Sequence, residues 1–238
     1  MDAGEIAQKL TVMLHEGAAA DALVLIALQP DPAVAASAIS AAVNTLYKSH
    51  RDVSNMIVAA HLGVAWCLGQ ASLQPDPEVA STLKKRAHAM SFNAAANCWP
   101  GWGDDGVTIE DGEVEAARSL AGTCLALAHD LDLGPKGLGT AHWLIGALEL
   151  ALGRVVAARA AFEEAHRSYE ALGDEAPQRL MAKGYDALAA KFGETSAKTV
   201  AALKKALDRL HGLGTEDGQF FAEQIARAER ILSARSGT

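Results

Sequence analysis

The residues best suited to recognition chemistry lie in one short segment, residues 97–106. It contains Trp99, Trp102, Asp104 and Asp105, and therefore two of the four tryptophans in the chain. Indole rings are large and amphipathic, and they dominate the energetics of both protein cores and binding interfaces. Two hypotheses follow. Either the two rings plug a junction between helices, or they form one wall of a ligand or peptide pocket.

Carboxylates follow the tryptophans: Asp104, Asp105, Glu110, Asp111 and Glu113. A calcium loop needs six to eight oxygen ligands at fixed spacing, and the pattern D-x-[DN]-x-[DN]-G is absent. Asp111 is better explained as the N-cap of a helix, with Glu113 in a first turn that favours acidic residues. We therefore expect neither a metal site nor a cofactor.

The sequence also lacks the common catalytic and nucleotide-binding motifs. It has no H-E-x-x-H pair, no G-x-S-x-G elbow, no phosphate-binding loop and no G-x-G-x-x-G after a strand. Cys67, Cys98 and Cys124 are odd in number, widely spaced and set among apolar or alanine-rich neighbours, which predicts buried free thiols. We expect no catalytic residues.

Composition predicts an all-α fold. The chain has 50 alanines among 238 residues, and aromatic residues make up only 5%. Alanine is the best helix former, whereas strands favour β-branched and aromatic residues. With 21 basic against 29 acidic residues, the net charge of −8 argues against a nucleic-acid partner, whose binding surface would be basic.

The N-terminal region predicts a cytoplasmic protein without a membrane partner. It lacks the basic segment and the long apolar segment of a secretory signal. The most apolar early run, residues 18–28, is interrupted by Asp21 and is shorter than the roughly 20 residues that cross a bilayer.

Apolar residues at helical spacing, separated by Pro, Gly and Asp clusters, predict eleven helices. Asp31-Pro32, Asp52 and Asp76-Pro77 are typical helix starts. The predicted helices cover 3–16, 18–28, 32–49, 53–68, 77–97, 112–131, 137–152, 154–172, 176–192, 196–212 and 217–234.

Short turns between these helices favour antiparallel hairpins stacked along a single domain, residues 1–238. The segment 98–111 is rich in glycine and cannot continue a helix. It divides the chain into two sub-stacks, 1–97 and 112–238, and is the best candidate for a hinge.

One pattern in the second half carries a family resemblance. Gly146 lies within a predicted helix, Gly153 lies at a turn, and Ala158, Phe162 and Ala165 follow in the next helix. This arrangement resembles a tetratricopeptide repeat, in which a small residue lets the second helix approach the first. The resemblance is good over 139–174.

A looser copy covers 176–212, where Ala202 to Ala206 follows Ala161 to Ala165 by 41 positions. The similarity is weak before the central loop, and His142 replaces the family's usual tryptophan. The resemblance implies a right-handed α-solenoid of about eleven helices with a concave groove. It also implies that Thr140, Trp143, Ala147 and Leu150 face that groove.

The leading functional hypothesis is a non-catalytic interaction or scaffold module that binds a peptide or partner helix in the groove. The alternative is a small-molecule sensor or an enzyme, in which groups such as Asp104, Asp105, Arg118 or His142 converge on the loop tryptophans. A third hypothesis is a structural oligomerisation unit with a large apolar face exposed on a terminal helix.

Overall fold

In the computed structural model, which describes residues 1–236, eleven α-helices form the fold and no strand occurs within that range. Two short 3₁₀ turns, Pro100–Trp102 and Tyr169–Leu172, lie between helices. The helices are α1 (Ala3–His15), α2 (Ala19–Ala27), α3 (Pro32–Lys48), α4 (Val53–Leu73), α5 (Pro77–Asn97), α6 (Asp111–Asp130), α7 (Gly134–Ala151), α8 (Val155–Ser168), α9 (Pro177–Gly193), α10 (Ala197–Gly212) and α11 (Glu216–Ser236).

Aspartate caps begin four of the helices in the first half, and those at Asp31, Asp52 and Asp76 confirm the predicted starts. The Asp31 carboxylate accepts a hydrogen bond from the Ala33 backbone N–H at 2.8 Å, and Pro32 occupies the first turn of α3. Asp52 and Asp76 cap α4 and α5 in the same way. Each cap satisfies a backbone N–H that has no partner inside the helix.

The prediction that Asp111 is the N-cap of α6 is wrong, because Glu110 holds that position. The Glu113 carboxylate reaches back and accepts a hydrogen bond from the Glu110 backbone N–H at 2.9 Å. Such a reciprocal contact selects the residue three positions before the glutamate as the cap. Asp111 is thereby the first helical residue, and its carboxylate contacts Arg235 on α11 at 2.9 Å.

Further boundaries also differ from the prediction, since α4 runs to Leu73 rather than ending at 68. Helix α7 begins at Gly134 rather than at 137, and Pro135 lies inside its first turn. A proline is tolerated there because its missing N–H would have had no partner in the helix. The predicted helix 154–172 ends as an α-helix at Ser168 and continues as the 3₁₀ turn Tyr169–Leu172.

Except at the step from α2 to α3, each helix packs substantially against the next helix in the chain, and every odd-numbered helix also packs against the following odd-numbered one. The helices α1, α3, α5, α7 and α9 therefore form one continuous layer, called here the odd layer. Among the even-numbered helices, only α4 and α6 show substantial next-neighbour packing in the described chain. The odd-numbered helices therefore contact one another more extensively than the even-numbered helices do.

Helix α4 is long and apolar enough to cross a membrane by length and composition, and it is the one such helix among residues 1–236. It packs against α3, α5 and α6, and 44% of its most apolar window is buried in the protein.

Gly146 lets α7 and α8 approach each other closely, as the sequence predicts. A Cβ atom on Gly146 would lie 2.6 Å from Cε1 of Phe162. Gly139 has the same relation to Tyr169, with a Cβ position 2.4 Å from the ring. The rings of Phe162 in α8 and of Tyr169 directly after it thus rest on the backbone of α7, at the packing density of a protein core.

We expect Gly146→Leu to lower the free energy of unfolding by about 1–3 kcal/mol or more, because the new side chain would overlap the buried Phe162 ring. The matched control is Gly69→Ala, since no atom lies near a Cβ at Gly69 in α4. The control should be neutral or slightly stabilising. Chemical denaturation measures both, and an unchanged midpoint for Gly146→Leu would contradict the proposed helix contact.

Candidate functional site

The loop 98–111 carries its two tryptophans onto α7 and α9, where they join an aromatic cluster. Trp99 is 0% exposed, and its ring lies edge-on to Tyr185 of α9 at a centroid distance of 6.3 Å. Trp102 lies 6.1 Å from Trp143 of α7, and Trp143 lies 5.6 Å from Tyr185. Phe162 of α8 stacks on Tyr185 at 5.4 Å. Trp99 is therefore the buried tryptophan of the loop, and Tyr185 of α9 contacts its ring.

Hydrogen bonding in the aromatic cluster is incomplete. The Trp102 indole N–H donates to the Ala96 carbonyl, at the end of α5, at 2.7 Å. Among the described residues, the indole nitrogens of Trp99 and Trp143 and the Tyr185 hydroxyl are buried without a hydrogen-bond partner. Burial raises the pKa of Tyr185, so the phenol stays neutral.

Asp104 ties the loop to α3, whereas Asp105 is exposed to solvent. The Tyr47 hydroxyl donates a hydrogen bond to Asp104 Oδ2 at 2.5 Å. Burial, reinforced by the Asp104 carboxylate, raises the pKa of Tyr47. The loop therefore reaches α3, α5, α7 and α9, which are four successive helices of the odd layer.

Helix α11 closes over the loop from the other side. Arg227 donates from Nη1 to the Trp102 carbonyl at 3.3 Å, and Arg235 donates to the Ile109 carbonyl at 3.1 Å. The Ile231 side chain lies against Gly103, where a Cβ atom would approach Ile231 Cδ1 to 2.6 Å. Gly103 also has a left-handed φ of +63°, so two independent constraints favour glycine there.

A cavity of about 230 Å³, called here the loop cavity, remains between the loop, α3 and α11. Most of its wall comes from the loop itself, and the Tyr47–Asp104 pair and Arg235 supply polar groups. The apolar part of the wall includes Trp99, Trp102, Val107, Ile109 and Ile231.

A second and larger cavity, called here the end cleft, has a volume of about 480 Å³. It lies where α6 begins and where α7 and α9 end. Its charged rim comprises Glu110, Asp111 and Arg235. Its apolar wall includes Leu150, Ala151, Val155, Phe192 and Leu232.

The four α7 residues predicted to face a groove have different surroundings. Thr140 is partly exposed, and its hydroxyl lies 3.0 Å from the Tyr169 hydroxyl. Trp143 and Ala147 are buried, with Trp102 beside Trp143. Leu150 is also largely buried but lines the end cleft. Partner binding by these residues stays a prediction, and of the four only Leu150 adjoins the end cleft.

Arg118, one of the polar groups expected near the tryptophans, pairs with a carboxylate on α7 instead. Arg118 Nε donates to Glu149 Oε1 at 2.7 Å, and Glu149 is a buried carboxylate, 4% exposed, that also lies near Arg154. His142 is influenced mainly by burial, which lowers its pKa, and then by charges on α6 and α8. Sequence analysis missed Tyr185, Arg227 and Arg235, because their roles arise only from distant contacts.

The three cysteines are buried free thiols, as predicted. Burial raises the pKa of Cys67 to about 11 and that of Cys98 and Cys124 to about 12. The Cys124 Sγ lies 3.4 Å from His88 Nε2, and burial lowers the pKa of His88. Both groups are therefore neutral near pH 7, so this pair is not an activated thiolate nucleophile.

A small apolar patch on α2 bears on the oligomerisation hypothesis. Leu23, Val24 and Leu28 are exposed there, and Ala22 and Ile26 face the core. The patch lies on a helix of nine residues. The oligomerisation hypothesis, which places a large apolar face on a terminal helix, stays a prediction.

No group of three or more His, Cys, Asp or Glu side chains within residues 1–236 is arranged to hold a metal ion. No protein-family model matches the chain, and no curated protein is detectably similar to it.

We expect Trp99→Ala to lower the free energy of unfolding by about 3–5 kcal/mol, because it leaves a large cavity in the aromatic cluster. Trp102→Ala is the matched comparison. The Trp102 ring is only partly buried, so its removal should lower the free energy of unfolding by less. Urea denaturation measures both variants. A smaller decrease in the free energy of unfolding for Trp99→Ala than for Trp102→Ala would contradict the role of Trp99 as the buried anchor of the loop.

The raised thiol pKa values predict that the folded protein resists thiol reagents. At pH 8 all three thiols remain protonated, since their pKa values lie well above that pH. Titration with a chromogenic disulfide reagent should therefore be slow for the native protein and should count three thiols after denaturation. Rapid reaction of one native thiol would contradict its burial.

Proposed function

We propose that the protein is a non-catalytic, tetratricopeptide-like interaction module that works in the cytoplasm and binds a peptide or helix of a protein partner. In this proposal the eleven helices form one right-handed superhelix. The uneven packing of the two helix layers supports it, because a layer whose helices lie closer together belongs on the inside of a curve. The odd layer would then be concave.

The contacts between α7 and α8 support the repeat assignment. Gly146 accommodates the Phe162 ring, and Ala158 and Ala165 are buried on the same face of α8. These are the positions at which the sequence resembles a tetratricopeptide repeat. The following pair, α9 and α10, also packs as a hairpin.

The observation that carries the proposed function is the end cleft. It adjoins the odd layer through Leu150 and combines an apolar floor with a charged rim, as peptide-binding surfaces do. Asp111 and Arg235 on that rim pair with each other. A rim of paired charges around an apolar floor suits recognition better than proton transfer.

The loop cavity supports a second candidate function, the binding of a small molecule. It contains both apolar and hydrogen-bonding groups, and it lies at the loop where sequence analysis placed a pocket. However, its volume of about 230 Å³ is below the roughly 300–1,000 Å³ of typical ligand pockets. Only a small ligand would fit, and the end cleft therefore carries the preferred proposal.

We expect Val155→Arg to abolish capture of a partner, because a charged side chain would project into the end cleft. The matched control is Val200→Arg on α10, which introduces the same side chain at an exposed position outside that cleft. Immobilised wild-type and variant proteins would be incubated with lysate of the source cells, and the retained proteins identified by mass spectrometry.

The proposed function requires a protein retained by wild type and by Val200→Arg but lost with Val155→Arg. Equal retention by all three would contradict binding at the end cleft. If no protein is retained and a small metabolite instead raises the melting temperature, the second candidate function replaces the first.

A further inference from the structure

We propose that the surface beneath α11 is a docking site for an amphipathic helix of a protein partner, and that α11 is its displaceable occupant. This surface, called here the α11 seat, is formed by Trp102, Gly103, Gly184, Lys191 and Leu210. The inference rests on the proposed function, since it gives the interaction module a second binding surface and specifies the chemistry of the partner.

Two isoleucines of α11 fit against two glycines of the seat. A Cβ atom on Gly184 of α9 would lie 2.5 Å from Ile225 Cδ1, and one on Gly103 would lie 2.6 Å from Ile231 Cδ1. Ala222 and Ala228 are buried on the same side of α11. The seat thus selects branched aliphatic residues six positions apart, flanked by alanine-sized residues that permit close approach.

Polar contacts at defined positions fix the orientation of the helix. Relative to Ile225, Arg227 at +2 donates to the Trp102 carbonyl, and Arg235 at +10 contacts Asp111. Glu229 at +4 pairs with Lys191 of α9. A partner helix should therefore carry the same aliphatic spacing, an arginine at +2, an acidic residue at +4 and an arginine at +10.

Helix α11 fills its seat incompletely. Gln224 is 7% exposed, and its Oε1 atom has no hydrogen-bond partner among the described residues. A void of about 60 Å³ lies beside it, between Trp102 and the exposed Phe220. Protein interiors are normally close-packed and their buried polar atoms paired, so these defects weaken the closed state.

The connection to α11 permits its release. A turn at Leu213, Gly214 and Thr215 joins it to α10, and Gly214 has a φ of +64°. Its main contacts are with α9, α10 and the turn Pro100–Trp102. Helices α1 to α8 pack mainly with one another and with α9, so their contacts do not depend on α11.

The first experiment measures hydrogen exchange in the wild-type protein. Amides of α11 are expected to exchange at least about 100-fold faster than those of α9, because α11 opens without global unfolding. Exchange of α11 at the same rate as α9 would overturn the proposal. This measurement needs no variant and stays informative even where a substitution prevents folding.

The second experiment uses a fluorescent peptide with the sequence of residues 216–236 and the full-length chain. Ala228→Glu places a charge on the buried face of α11 and should empty the seat, whereas Ala234→Glu changes an exposed position of the same helix. We expect the peptide to bind Ala228→Glu at least about tenfold more tightly than wild type or Ala234→Glu, because the resident helix no longer competes.

Adding Gly184→Leu to Ala228→Glu should abolish peptide binding, because leucine fills the position that Ile225 occupies. Peptide binding that survives this change, or that is absent from a folded Ala228→Glu chain, would overturn the proposal. If the wild-type protein forms dimers that exchange α11, the occupant of the α11 seat is a second copy of this chain and not a different protein. Leu232 and Arg235 of α11 also line the end cleft, but Val155 lies outside the α11 seat. Loss of partner capture with Val155→Arg therefore tests the end cleft, whereas peptide binding to Ala228→Glu tests the α11 seat.

Discussion

The removal of the Trp99 indole from water is the constraint on which the central part of the structure depends. Burial of one such ring stabilises the fold by several kcal/mol, on the order of the whole margin of a small domain. To bury it, the loop turns so tightly that a Cβ atom on Gly101 would lie 2.4 Å from the indole. Tyr185 meets the other side of the ring, and α9 is thereby joined to a loop from the middle of the chain.

Small residues explain why aromatic side chains are needed at this place. Alanine and glycine bring neighbouring helices close together, but they supply little side-chain volume where three or more helices meet. Trp143, Phe162 and Tyr185 fill that space, each from a different helix. The resulting aromatic cluster is fixed by shape more than by hydrogen bonds, which is why two indole N–H groups remain without partners.

Short-range sequence patterns made most of the helices predictable. The features that could not be predicted depend on contacts between residues far apart in the chain. The caps at Asp31, Asp52 and Asp76 mark helix starts because the carboxylate bonds to backbone only two or three residues away. The Arg235–Asp111 contact joins residues 124 positions apart, and no local pattern encodes it. Likewise, helical spacing places Trp143 on an apolar face, but its burial depends on Trp102, a distant loop residue.

The distance along the chain between Trp99 and Tyr185 has a consequence for synthesis. Tyr185 follows Trp99 by 86 positions. At 5–20 residues per second, a ribosome needs roughly 4 to 17 s to produce that interval. During this time the first five helices can already pack as neighbours, while the Trp99 ring still lacks its contact with α9. The nascent chain therefore presents an exposed aromatic segment, which makes it a natural client for chaperones that bind apolar sequences.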